Sequence, residues 1–331
     1  MTRLRRAVTV PLATALMVCL LLYGLPLLAF AVLADLVLRS SRPSRTIAIA
    51  IAYAAMELRA LAKLLHGGQD GDQFMREFLE TAYAAGRRIL DVEVLLDTAS
   101  VDPEEVPGDE PVIVLSRHCG PGDSVFVAWL LTVHYGLRLR IVLKALLRCE
   151  PALDLAGDLG CLCFLSQRGE RARAQIRDLA ASLVGGQALL LFPEGGNFSW
   201  TRWRNAIIQL RSSGRLREAR RAWRQSHTLP PRTGGAAAAL AGAPRANVLV
   251  LTHSGFCEDG RARLWWRLPI HRQLVVHVFL VPAVELPSPD QLSSWLQNTW
   301  SGVDAWVARH TDDVNPTPLS PSTSTGGKEF L

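Results

Sequence analysis

The sequence predicts an α/β fold, a mostly parallel central sheet flanked by helices, with an N-terminal membrane-anchoring helical segment. Three observations predict it. From Pro111 onward, short apolar runs alternate with amphipathic stretches of helical period, the pattern of strand–helix units around a parallel sheet. Gly136 and Gly185-Gly186 sit where the helices of such units need C-caps. An uncharged, mostly apolar run of 28 residues, Ala7 to Ala34, stands ahead of this pattern. At 331 residues the chain has room for one large domain with extensions or for two domains. The expected division is an anchor and interfacial helix over 1–65, a globular domain over 66–310 and a disordered tail over 311–331, where Pro, Ser and Thr accumulate.

As one helix the first run would be roughly 42 Å long, more than the ~30 Å hydrocarbon core of a bilayer. Gly24-Leu25-Pro26 interrupts it, so a tilted span and a re-entrant hairpin are both open. A secretory signal peptide is the competing reading, against which stand the length of the run and a second apolar segment, Thr46–Met56. Arg3, Arg5 and Arg6 precede the run and Arg39, Arg42 and Arg45 follow it, a balance that favours both ends on the cytoplasmic side. Glu57–Leu65 continues Thr46–Met56 as an amphipathic helix, and Phe74–Leu90 is helical. Thr98–Glu110 is an acidic, proline-bearing linker. Strands are expected at Val112–Leu115, Leu139–Leu143, Cys161–Leu165, Ala188–Phe192, Val248–Thr252 and Leu274–Val281. Helices are expected at Asp123–Tyr135, Glu170–Val184, Arg202–Leu210, Leu216–Gln225 and Pro289–Arg309, with an alanine-rich helix after Pro231.

Hydrophobic residues make up 49% of the chain and the net charge is +6. That balance suits an anionic surface, either acidic membrane or nucleic acid. Arg202–Arg224 concentrates the charge, with eight arginines against one acid, Glu218. A solvated basic helix pair is the bland reading of that segment. Beside an apolar anchor, a face toward anionic lipid is the functional one. No nucleic-acid module or aromatic interleaving accompanies it. The six cysteines, Cys19, Cys119, Cys149, Cys161, Cys163 and Cys257, form no C-x-x-C pair and no zinc spacing, so no metal is expected.

Chemistry concentrates at strand exits. The run Val112–Leu115 delivers His118 into the turn Cys119-Gly120-Pro121-Gly122, and Asp123 follows at the expected helix start. An aspartate so placed can fix the histidine's tautomer and stabilise its protonated form, making a general base for a hydroxyl. A loop histidine beside a capping aspartate is the plain alternative. Cys119 points away from its neighbour in an extended segment and is a poor nucleophile candidate. No Gly-x-Ser-x-Gly elbow occurs, so the hydroxyl to be activated belongs to a substrate. A second strand ends in Phe192-Pro193-Glu194-Gly195, with Gly196-Asn197 behind it. A third, Gly160-Cys161-Leu162-Cys163-Phe164-Leu165, leads to Arg168, a residue suited to phosphate. Leu229-Pro230-Pro231-Arg232-Thr233-Gly234-Gly235 forms a rigid turn.

In this order and spacing the four stretches resemble the lysophospholipid and glycerolipid acyltransferase family, which includes 1-acyl-sn-glycerol-3-phosphate acyltransferases. His118 and Asp123 match its H-x4-D motif, and Phe192 to Gly195 match F-P-E-G in full. Gly160…Phe164-Leu165…Arg168 matches the second motif with one residue more between Phe and Arg. Pro231, Arg232 and Gly235 fit the fourth motif of the branch that contains lysocardiolipin acyltransferase. The resemblance covers roughly Glu110 to His310 and makes 66–310 an acyltransferase domain. Two positions depart from the family: Gly196-Asn197 stands for the usual Thr-Arg, and Ala236 for an aromatic. The first departure removes a phosphate-binding arginine. The resemblance implies acyl transfer from acyl-CoA or acyl carrier protein, as co-substrate and with no cofactor, to the free hydroxyl of 1-acyl-sn-glycerol-3-phosphate, forming phosphatidic acid. His118 and Asp123 would be catalytic, while Arg168, Glu194, Gly195, Lys144 and Arg232 would bind substrate. The implied partners are membrane phospholipid, lysophospholipid and an acyl thioester, without nucleic acid, with the catalytic domain at the cytoplasmic face of a membrane. A catalytically silent lipid-binding relative, a thioesterase or lipase using His118 with water, and an acyltransferase for another lysophospholipid or glycolipid remain the alternatives.

Overall fold

The computed structural model describes residues 2–120, 122–165, 169–256 and 268–311. Helices α1 (Thr2–Leu38), α2 (Arg42–His66) and α3 (Gly71–Ala85) lead into β1 (Val92–Leu96). There follow β2 (Val112–Ser116), α4 (Asp123–Trp129), β3 (Arg138–Lys144), α5 (Pro151–Ala156), β4 (Leu162–Leu165), α6 (Glu170–Ala181) and β5 (Gln187–Leu191). The chain continues through α7 (Trp200–Ser212), α8 (Leu216–Arg224), α9 (Thr233–Gly242), β6 (Asn247–His253), β7 (Arg272–Val281) and α10 (Leu292–Thr311).

The sheet runs β1-β7-β6-β2-β5-β3-β4. Strands β6, β2, β5, β3 and β4 are mutually parallel, whereas β7 runs antiparallel to β6 and β1 pairs parallel with β7. Every residue of β2 and β6 is buried, as expected where helices cover both faces of a parallel sheet. Alternation sends Val112, Val114, Leu190 and Leu249 into one core with α3 and α4, and Ile113, Leu115, Leu189 and Val248 into the other with α6, α9 and α10. Gly242 lets α9 approach α6, since a Cβ there would lie 2.2 Å from the Arg177 carbonyl oxygen. The mostly parallel sheet with flanking helices and the long apolar first helix are therefore as the sequence predicts.

Three details differ. β1 is a strand the periodicity did not mark: its five residues lie between Asp91 and Asp97 and pair only with β7, far away in sequence. The helices expected at Phe74–Leu90 and Asp123–Tyr135 each end in a π-helical turn, Gly86–Leu90 and Leu130–His134. The third concerns α1, which neither breaks nor re-enters at Gly24-Leu25-Pro26. A Cβ on Gly24 would lie 2.7 Å from Ile51 Cγ1, so that glycine serves close packing of α1 against α2. The reversal comes at Arg39–Ser41, with Arg39 at φ 48°. Both ends of α1 are tied to the domain. Arg5 and Arg6 bind Asp154 at 2.7 and 2.9 Å, and Arg6 binds Asp158 at 2.6 Å. Just past the other end, Ser41 Oγ lies 3.4 Å from His271 Nε2. The helix thus lies lengthwise on the domain with most of its apolar side chains exposed. The expected tail begins where the described residues end.

Candidate active site

Parallel pairing of β2 with β5 and β6 brings three strand ends together, at the edge where α/β sites form. β2 supplies Arg117, His118 and Asp123, β5 supplies Phe192 to Gly196, and β6 supplies His253. Asp123 is fully buried, and its Oδ1 and Oδ2 both lie 3.0 Å from His118 Nδ1. Its Oδ2 also accepts the backbone N–H of Cys119 at 2.6 Å and of Gly120 at 3.1 Å. Burial opposes the charge on Asp123, but the His118 hydrogen bond, the charges of His118 and His253 and the Cys119 N–H outweigh it, leaving the carboxyl at about 2. His118 is therefore held through Nδ1, which leaves Nε2 for an occupant of the cavity that its ring lines. Phe192 packs on the ring, with centroids 4.6 Å apart.

Glu194 does something other than line the cavity. Its carboxyl is buried behind the wall, accepting the N–H of His118 on Oε1 at 3.3 Å and that of Leu229 on Oε2 at 3.1 Å. Burial raises its pKa to about 7, against the lowering effect of Arg117 and the two N–H groups. The strand exit turns the side chain inward, and its acceptors brace the His118 turn against the Leu229 loop, a bracing role beside the substrate contact expected of it. Gly195 does line the cavity, in the left-handed conformation at φ 69°. Arg232 lies over it, with the guanidinium carbon 3.1 Å from where a Cβ would stand, and the Arg232 backbone N–H donates to the Pro193 carbonyl at 2.8 Å. Arg232 and the exposed Lys144 both line the cavity, whereas Arg168 lies outside the described residues.

Three residues escaped sequence reasoning. Arg117, buried beside Glu194, donates to the carbonyls of His253 at 2.5 Å and His227 at 2.8 Å. His253 places Nε2 3.2 Å from the Arg117 carbonyl and Nδ1 3.9 Å from Cys119 Sγ. The position of Arg117 next to His118 was the available signal; His253 had none, because it ends an ordinary apolar strand. The third is Arg202, at the start of α7. Its Nη1 donates to the Asn197 carbonyl at 2.9 Å and would lie 2.8 Å from a Cβ on Gly196. A guanidinium thus stands against the Gly196-Asn197 turn, where the family's arginine is missing.

Cys119, Asp123 and His253 bring three metal-ligand atoms within 4.8 Å of one another. Their geometry is that of a hydrogen-bonded network: Asp123 is occupied by four donors, the Ser124 hydroxyl among them, and His253 Nε2 by a carbonyl.

The cavity has a volume of about 590 Å³. Its walls are mostly apolar, among them Phe74, Phe78, Leu143, Leu153, Leu165 and Phe192. One end holds His118, Gly195, Gly196 and Arg232, while Tyr53, Glu57 and Glu150 contribute polar groups from α2 and the start of α5. Burial, followed by the neighbouring Glu150, raises the Glu57 pKa, and Glu57 accepts the Ala152 N–H at 3.1 Å.

Residues 98–253 match the family model described as Acyltransferase. No curated protein matches the sequence. A solved structure of similar outline is the crystal structure of the 1-acyl-sn-glycerophosphate (LPA) acyltransferase PlsC from Thermotoga maritima, with 14% identity and a TM-score of 0.49. That match covers 97% of this chain and 100% of the other. The stretch 98–253 that matches the Acyltransferase model contains the His118–Asp123 pair, the Glu194 turn and His253.

Proposed function

We propose that the protein is a membrane-bound O-acyltransferase that moves a fatty acyl chain from a thioester of coenzyme A or acyl carrier protein to the free hydroxyl of a lysophospholipid, with 1-acyl-sn-glycerol-3-phosphate as acceptor and phosphatidic acid as product. The observation that carries the reading is the His118–Asp123 pair at one end of an apolar cavity. His118 Nε2 takes the acceptor's hydroxyl proton as the oxygen attacks the thioester carbonyl. The imidazolium so formed is stabilised by Asp123, which is already ionised. As the tetrahedral intermediate collapses, the C–S bond breaks and the thiolate takes the proton from His118. The apolar walls suit an acyl chain, and Arg232, Lys144 and Arg202 offer cationic partners for the acceptor phosphate. The exposed apolar side of α1 would lie in the membrane, along the domain's cytoplasmic-side surface.

The test is acyl transfer by membranes carrying wild type or His118→Ala, supplied with acyl-CoA and lysophosphatidic acid. The substitution should lower the rate by about 10²–10⁴-fold. Transfer that survives unchanged eliminates His118 as base. Absence of transfer to any lysophospholipid points to a silent relative instead.

A further inference from the structure

Helices α7 and α8 form an arm that the proposed reaction leaves unexplained. Of the eight arginines between Arg202 and Arg224, Arg202 faces the Gly196-Asn197 turn, Arg215 pairs with Glu218 at 2.6 Å and Arg221 reaches Gln297 at 3.3 Å. The other five, Arg204, Arg211, Arg217, Arg220 and Arg224, are exposed and form no ion pair among the described residues. Large apolar side chains stand exposed between them: Trp200, Ile208, Leu216 and Trp223, the last 66% accessible. Helical spacing puts Trp200, Arg204, Ile208 and Arg211 on one face of α7, and Leu216, Arg220 and Trp223 on one face of α8. The opposite faces are satisfied, since Ile207, Leu210, Ala219 and Ala222 pack on one another.

The arm is held rigidly. Trp203 Nε1 donates to the carbonyls of Ala222 at 3.0 Å and Gln225 at 2.6 Å, and its ring lies 5.7 Å from Trp200 and 5.3 Å from Trp223. Trp203 also packs on the apolar cluster of Phe198, Phe256 and Ile270 that receives Ile49 of α2. The base of the arm and the first turns of α2 therefore share one cluster, next to the reversal that joins α1 to α2.

A solvated basic surface has no use for exposed indole, isoleucine and leucine between its arginines. A lipid headgroup layer satisfies both kinds of side chain, apolar groups at the acyl boundary and guanidinium groups on phosphate. We propose that the outer face of α7–α8 is a second membrane contact, separate from α1, that recognises anionic phospholipid headgroups. The proposal is independent of which acceptor the active site uses.

The test lets full-length protein distribute between two vesicle populations in one sample, phosphatidylcholine alone and phosphatidylcholine with one third phosphatidylglycerol. Because α1 is present throughout, the ratio reads the headgroup preference. Wild type should favour the anionic vesicles, and added salt should erode the preference. Arg217→Gln/Arg220→Gln/Arg224→Gln should lose roughly 100-fold of it, about fivefold per arginine. The corresponding triple Lys variant should retain it, and all three proteins should keep the same acyl-transfer rate in detergent. An even wild-type distribution overturns the proposal, as does a Gln triple that keeps the wild-type ratio or a Lys triple that loses it equally. A duplex oligonucleotide that removes wild type from the anionic vesicles would assign the face to nucleic acid and overturn it too.

Discussion

Asp123 holds two things at once, the His118 ring and the backbone of the turn that carries it. Its oxygens accept one ring nitrogen and two backbone N–H groups inside the protein. Asparagine would keep one acceptor and present an N–H₂ to donors. We expect Asp123→Asn to lose activity as fully as His118→Ala, with the double variant no worse than either, and to lose about 1–3 kcal/mol of stability. Initial rates and denaturant midpoints in detergent check both. Because its carboxyl is held down at about 2, the stability it contributes is present above the ordinary aspartate range and lost as pH falls toward 2. Glu194 has the opposite sign. Its folded pKa of about 7 exceeds the unfolded value, so stability falls as pH rises from about 4.5 through 7, by about 3 kcal/mol at most. Glu194→Gln should remove that slope between pH 5 and 8 while destabilising the protein at both, because one of the two backbone donors loses its acceptor. An unchanged slope would show that Glu194 is ionised throughout. Arg202 supplies a third case: Arg202→Gln should raise KM for a phosphate-bearing acceptor several-fold and leave KM for the donor thioester unchanged. A rise for the donor instead would move Arg202 to the other substrate.

At the scale of elements, β2, β5 and β6 were legible because a strand buried on both faces has to be an uninterrupted apolar run. The H-x4-D and F-P-E-G turns were legible because each directly follows such a run. Sequence did not reveal which way a side chain turns once the strand ends, so it placed Glu194 at the sheet's carboxyl end without showing that its carboxyl faces the His118 and Leu229 N–H groups. Arg202 was hidden for a related reason: within Arg202–Arg224 it looks like seven other arginines, and only the start of α7 beside Asn197 singles it out. Gly24 was misleading because glycine and proline interrupt a helix in sequence terms, whereas in α1 the glycine answers to Ile51 across the hairpin. A large side chain at this position has no room. We expect Gly24→Leu to separate α1 from α2 and lower thermal stability in detergent by about 1–3 kcal/mol. Ile51→Ala should recover most of that loss when combined with it, since the pair is in contact. Additive losses would show that the two helices do not meet at this position.

Across the whole molecule, the cavity joins the proposed reacting pair to α2, the helix on which the exposed apolar helix α1 packs. α2 contributes Tyr53 and Glu57 to its wall, α3 contributes Phe74 and Phe78, and the sheet contributes Leu143 and Leu165. Under the proposed reaction an acyl chain would lie inside the protein with its thioester carbon at His118, and the cavity's extent would limit chain length. Ala128, on α4, lines the cavity five residues after Asp123 and belongs to the core cluster shared by α3 and α4. A phenylalanine there would occupy space in the cavity without removing any group proposed to act on the reaction. We expect Ala128→Phe to shift donor preference toward shorter acyl chains, with kcat/KM for the longest accepted chain falling at least tenfold, about 1.4 kcal/mol, and that for short chains unchanged. A panel of saturated acyl-CoA donors of increasing length, at fixed acceptor, measures it. If all donors lose rate equally, the phenylalanine has disturbed α4 and the His118 turn. If none does, the acyl chain lies elsewhere, and the exposed apolar side of α1 becomes the surface on which it would have to rest.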